Sequence, residues 1–200
     1  MNPATDHQRR LQAVLDFAAE CDFEREHTLQ VTKLALDIFD QLRDPLGMDD
    51  EDRETLQFGS LLHDIGWIEG QRKHHKTALR MIQGAEQLGL DARHRELVAA
   101  VARYHRKALP ADNHAHFAAL DPADKRKVCI LAGILRIADG LDRTHCDVVE
   151  KIDCELRDDE LTLYCQTHQP ADAELAAAMK KGDLLAGVLQ REVSLVVVSV

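Results

Sequence analysis

The stretch Leu61-Leu62-His63-Asp64-Ile65-Gly66 closes an apolar run on a histidine and a carboxylate, side by side, ahead of a glycine. Such a pair can turn both side chains toward one cation, and a cation in an enzyme most often serves hydrolysis. The helix leading into it is expected to start near Asp49 or Asp50 as N-cap, with Glu51 and Glu54 favouring its positive end, and to run through Leu61 and Leu62 to the pair. Whether the neighbouring segments share that helical period decides the fold class.

They do for three quarters of the chain, where apolar residues recur at three- and four-residue spacing. Arg9 to Ala19 carries Leu11, Val14, Leu15 and Ala18 on one face, and Glu24 to Leu42 carries Val31, Leu34, Ile38 and Leu42. The break Asp44-Pro45-Leu46-Gly47 is expected to end the second helix. Lys73 to Leu88 predicts a helix stopped by Gly89, and Asp91 caps another with the face Leu97, Val98, Val101, Tyr104 and His105. A polar loop with Pro110, Asn113 and His114 leads to Asp121-Pro122, a cap with proline at the first helical position. That helix has the stripe Val128, Leu131, Leu135 and Ala138, continued by Asp139 and Asp142.

Beyond about residue 146 the pattern changes. Val148 to Leu156 and Leu161 to Cys165 read as strands joined by Arg157-Asp158-Asp159-Glu160, Ala171 to Gln190 as helix, and Val193 to Val200 as a β-branched strand. The expectation is a mainly α protein: a helical domain over 1–146 and a small α+β (ββαβ) appendage over 147–200. An apolar last strand is hazardous at an exposed edge, so it is expected to sit centrally in its sheet, with pairing across a homodimer as the other solution.

Composition excludes several classes. With 45% apolar and 30% charged residues the 200-residue chain can bury a core. A net charge of −10 argues against a nucleic-acid polymer or an anionic membrane as partner, so an anionic ligand needs a local basic patch. No run reaches transmembrane length, and the N-terminus lacks a signal-peptide pattern, which predicts a cytoplasmic protein. Cys21, Cys129, Cys146, Cys154 and Cys165 are scattered and odd in number, as free thiols would be.

Extending the second helix's stripe back one turn lands on His27, so His27, His63, Asp64 and Asp139 all occupy inward positions. An ionised carboxylate facing a core costs several kcal/mol unless paired or bound to a cation. A shared divalent metal explains the set, and mixed imidazole and carboxylate ligands suit Mn, Fe, Ni, Zn or Mg. Arg136 and Arg143, three before and four after Asp139, are the competing partners for its charge and candidate phosphate contacts.

The ordered set His, His-Asp, Asp resembles the HD superfamily of metal-dependent phosphohydrolases. More narrowly, the chain is similar to the C-terminal HD region of the exopolyphosphatase and guanosine pentaphosphate phosphatase family. The matching stretches are His27 to Val31, Leu61 to Gly66, His74-His75-Lys76, Arg103 to Lys107 and Ile134 to Arg143. Where the family commonly shows His-His-Lys-His-Ser, Thr77 and Ala78 stand here in the fourth and fifth positions. The similarity covers the family's accessory HD region, not its actin-like catalytic portion.

Basic segments near these positions direct the metal at phosphate. His74, His75, Lys76, His105, Arg106 and Lys107 are candidate phosphate contacts, whereas Lys125-Arg126-Lys127 reads as solvated. The expected reaction is hydrolysis of a phosphate ester or anhydride, of a nucleotide or a polyphosphate-like compound, by a metal-activated water. Asp64 would orient that water, and His75 and His105 would bind phosphate, shuttle a proton or ligate a second metal. The alternative is a non-catalytic regulatory module that binds metal and a phosphorylated ligand and acts through a partner protein. Trp67 and Tyr104 could each line a nucleotide pocket, with core packing the favoured reading for both.

Overall fold

The computed structural model describes residues 3–21 and 24–199; Val200, the expected end of the last strand, lies outside them. Helices α1 (Pro3–Glu20), α2 (Arg25–Leu46), α3 (Asp50–Leu61), α4 (His74–Gln83), α5 (Ala92–Arg103), α6 (Ala115–Ala118) and α7 (Pro122–Leu141) come first. A hairpin of β1 (Val149–Leu156) and β2 (Glu160–Thr167) follows, then α8 (Asp172–Lys181), α9 (Asp183–Leu189) and β3 (Glu192–Ser199). The protein is mainly α with a small sheet at its C-terminal end.

Helix starts follow the caps in the sequence. Asp49 accepts from the Asp52 amide while Asp52 accepts from the Asp49 amide, a closed capping box, and Asp91 and Asp121 cap α5 and α7. Several helix ends depart from expectation. α2 runs through Pro45 to Leu46, because a proline in the last turn forfeits a single hydrogen bond. The end is closed by Met48 N–H to the Arg43 carbonyl (2.8 Å) and Gly47 N–H to the Asp44 carbonyl (3.2 Å), with Gly47 left-handed at φ 66°. The expected helix to Leu88 stops at Gln83, and a 3-10 turn at Glu86–Leu88 brings Ala85 and Leu88 into one core with Val14 and Ala18 of α1. The expected helix from Ala171 to Gln190 is broken into α8 and α9 at Gly182.

α7 is the centre of the molecule, packing against α2, α3, α5, α8 and α9. Its stripe Val128, Leu131, Leu135 and Ala138 is buried as the period requires. One apolar cluster runs from Leu34 and Ile38 of α2 through Ile134 and Leu141 of α7 to Ile152, Leu163 and Leu185. Gly140 lets α8 press directly onto α7: a Cβ there would lie 2.5 Å from the Ala178 Cα.

In the sheet, β1 and β2 are antiparallel, with Leu156 opposite Leu161, and β2 and β3 are parallel, with Leu161 opposite Val193. The order β1-β2-β3 makes β2 the central strand. The last strand is therefore an edge among the described residues, not the centre: the hairpin already occupies one side of β2, and the α8–α9 crossover delivers β3 to the other. Val196, Val197 and Val198 remain 40–42% exposed there. All five cysteines are free thiols, and no described helix is long and apolar enough to cross a membrane.

Candidate metal centre

The His-Asp pair does not end α3 as expected but follows it, in a turn between Leu62 and a 3-10 segment, Ile65–Glu69. Leaving the helix frees both side chains from its axial spacing. His63 is fully buried, and its Nδ1–H donates to the Ser60 carbonyl at 2.6 Å. The same arrangement recurs at the other histidines. His105 Nδ1–H donates to the Ala102 carbonyl (2.7 Å), and His74 Nδ1–H to the Gln71 carbonyl (3.0 Å). A carbonyl can only accept, so each of these rings carries a proton on Nδ1 and presents Nε2 to the cluster.

His27, in the first turn of α2, completes the set. Its Nδ1 bonds Asp142 Oδ2 at 2.7 Å, and its Nε2 lies 3.6 Å from Asp139 Oδ1. Burial pulls this imidazole's pKa down, but Asp139 and Asp142 outweigh it and raise the pKa to about 10. The exposed His145 stacks on its face at 4.0 Å.

Asp64 sits between two groups of imidazoles. Its Oδ2 is 3.5 Å from His63 Nε2, and its Oδ1 is 3.1 Å from His74 Nε2 and 3.5 Å from His105 Nε2. Ligand atoms of His27, His63 and Asp64 lie within 4.8 Å of one another, and so do those of Asp64, His74 and His105. Burial opposes charge on Asp64, yet the surrounding imidazoles hold its carboxyl well below the usual range. Burial likewise opposes charge on Asp139, where His27 and Lys181 keep the carboxylate ionised, whereas it pushes His105 toward its neutral form. His63 Nε2 and Asp64 Oδ1 are buried without a hydrogen bond. Buried ligand atoms left without a hydrogen bond, one in each ligand group, are what bound cations would satisfy, and the imidazole and carboxylate set fits a divalent transition metal.

Four residues expected to hold a metal thus converge, with His105 beside them. His74 joins the cluster, whereas His75, though buried, belongs to neither ligand group, and burial with the charge of Arg103 lowers its pKa to about 4. Both histidines lie on the inward side of α4, so the helical period alone could not separate them. Asp142 was legible as the next acid on the Asp139 stripe. It accepts from the Asp147 amide at 3.2 Å through its other oxygen, which fixes the carboxylate that orients His27. Asp142→Asn is expected to lower metal affinity about 10–100-fold with little change in stability, read by metal titration; unchanged affinity would remove Asp142 from the site.

A cavity of about 720 Å³ opens beside the cluster, walled by Asp64, Asp139 and His105 and by the cations Arg106, Lys107, Arg136, Arg143, Lys180 and Lys181. Arg136 is committed to structure: it reaches Asp183 Oδ1 (3.0 Å) and the Lys181 carbonyl (3.2 Å). Asp139 takes neither of its flanking arginines and pairs with Lys181. Lys107, Arg143 and Lys180 make no ion pair among the described residues. Lys76 is exposed away from the cavity, and Lys125 and Lys127 pair with Asp112 and Asp52 outside it. Trp67 is not a core residue: it is 42% exposed on the cavity wall, one ring face stacked on His74 at 5.0 Å. Tyr104 is fully buried, as the sequence indicates. Lys180 and Lys181 carry no local signal, since they reach the site only through the packing of α8 on α7.

No curated protein matches the chain. The model of one protein family does, that of the Ppx/GppA phosphatase, domain III, over residues 10–183. That span holds every histidine and carboxylate of the cluster and both lysines at the end of α8, and the chain belongs to the Ppx/GppA phosphatase domain III family.

Proposed function

We propose that the chain is a metal-dependent phosphohydrolase of the HD type, cleaving a phosphate ester or anhydride in a phosphorylated small molecule such as a nucleotide or a polyphosphate-like compound. One observation carries the reading: three imidazoles tied at Nδ1 to backbone carbonyls and a fourth tied to Asp142 turn their Nε2 atoms toward the ionised Asp64. His27, His63 and Asp64, with Asp139 adjoining, would hold one divalent cation, and Asp64, His74 and His105 a second. Such a cation lowers the pKa of water toward neutrality and polarises a phosphoryl oxygen.

The chain's own groups supply the rest. Arg106, Lys107, Arg143 and Lys180 line the cavity as donors for phosphate oxygens, arginine in a fork and lysine as a point charge. Asp142 keeps His27 in one orientation. The apolar backing of Leu62, Ile65 and Ala138 excludes water behind the cluster and strengthens its electrostatics.

The test is elemental analysis of the purified protein, followed by a phosphatase screen with Mn, Fe, Ni, Zn and Mg. His63→Ala is expected to lose both metal and turnover. Activity unchanged in that variant would overturn the site. Metal and phosphate uptake with no turnover under any condition would establish the regulatory module in place of the enzyme.

A further inference from the structure

α8 ends on Lys181, whose Nζ forms an ion pair with Asp139 Oδ2. The lysine's backbone is fixed from α7. Arg136 Nε–H donates to the Lys181 carbonyl at 3.2 Å, and Arg136 Nη2–H donates to Asp183 Oδ1 at 3.0 Å. The same Asp183 oxygen accepts from the Leu184 amide at 2.9 Å, at the start of α9. With Gly140 admitting α8 against α7, these contacts aim one ammonium at a cluster otherwise built by α2, α4, α7 and the turns after α3 and α5.

Asp139 therefore faces two ways. Oδ1 adjoins His27 Nε2, an atom of the first ligand group, and Oδ2 is held by Lys181. An ammonium and a divalent cation sharing one buried carboxylate repel each other, and a low-dielectric setting screens that repulsion weakly. Lysine is suited to exchange: its compact charge rides a flexible stem. Lys181 lines the same cavity as the unpaired Lys180, Lys107 and Arg143, so an ammonium released from Asp139 stays in a space that favours anions.

We propose that Lys181 is an exchangeable counter-cation of the site, holding Asp139 until a divalent metal claims that carboxylate and then turning its ammonium to the phosphate oxygens of the substrate. This rests on the phosphohydrolase reading above. It makes the C-terminal segment a contributor to the chemistry.

The experiment is calorimetric titration of the full chain with Mn²⁺ alone, then of the Mn²⁺-loaded protein with inorganic phosphate, for wild type and Lys181→Met. Mn²⁺ affinity is expected to rise by about tenfold or more in the variant, while phosphate affinity falls by about tenfold. A lysine of purely structural value would lower both. Unchanged or weaker Mn²⁺ binding by a folded variant overturns the exchange and leaves the metal reading standing. Unchanged phosphate affinity overturns the transfer to substrate. Failure of both proteins to take up Mn²⁺, or Fe²⁺, Ni²⁺, Zn²⁺ or Mg²⁺ in its place, overturns the phosphohydrolase reading and this proposal together. Should Lys181→Met not fold, Lys181→Gln, which keeps a polar partner for Asp139, is measured against the same outcomes.

Discussion

Asp64→Asn is expected to abolish the phosphate hydrolysis proposed above, lowering kcat/KM by roughly a thousandfold or more. Asparagine keeps the shape and removes the charge, so the variant isolates electrostatics. Asp64 belongs to both ligand groups, within 3.5 Å of His63, His74 and His105. Every other side chain of the cluster serves one group, and loss of a partner that only orients a ligand costs about 10–100-fold in affinity or activity. Removing a shared anionic ligand should exceed that and empty both groups together. The checks are metal content and steady-state kinetics. A variant that keeps stoichiometric metal and more than a tenth of wild-type activity would show that Asp64 is not a shared ligand.

A single methyl group at Gly66 is expected to do comparable damage by a different route. A Cβ there would lie 2.1 Å from the His74 carbonyl oxygen and 2.8 Å from the His74 carbonyl carbon and the Ala78 amide nitrogen. These are backbone atoms of the first turns of α4, which cannot swing aside as a side-chain tip can. Gly66→Ala must force the 3-10 segment and α4 apart, costing about 3 kcal/mol, the upper end for overpacking. For a chain of this size that amounts to a fall in Tm of roughly 6–12 °C. The displaced element carries His74, so metal uptake should fall too. Gly187→Ala is the control: no atom lies within 4 Å of its Cβ position, and alanine favours the helix, so Tm should hold or rise slightly. Equal melting of the two variants would refute the close packing of Gly66.

The two effects bear on how the site is written into the chain. The His63-Asp64 dipeptide is legible because histidine and aspartate interrupt an apolar run, and His27 and Asp139 because each falls where the stripe of its helix requires an apolar residue. Gly66 was legible only as the end of that motif. Its contact with α4 depends on two segments meeting, and no local pattern encodes that. The run of α2 through Pro45 to Leu46 and the stop of α4 at Gln83 are different: both have local grounds, a proline that costs one hydrogen bond in a last turn and a glycine at position 84.

By itself the sequence determined the helical period of the first three quarters, the caps at Asp91 and Asp121 and a cap at Asp49 or Asp50, the hairpin followed by helix and strand, and the inward facing of His27 and Asp139 on their helices. These depend on interactions within a turn or two, where spacing and residue type suffice. Only the tertiary structure decided that His74 rather than His75 meets Asp64, that Asp142 orients His27 across 115 residues, that Lys181 reaches Asp139 across 42, and that β3 lies at the edge of its sheet. A period states which face a side chain takes. Which distant partner waits on that face is set by how α4, α7 and α8 pack, a property of the assembled core.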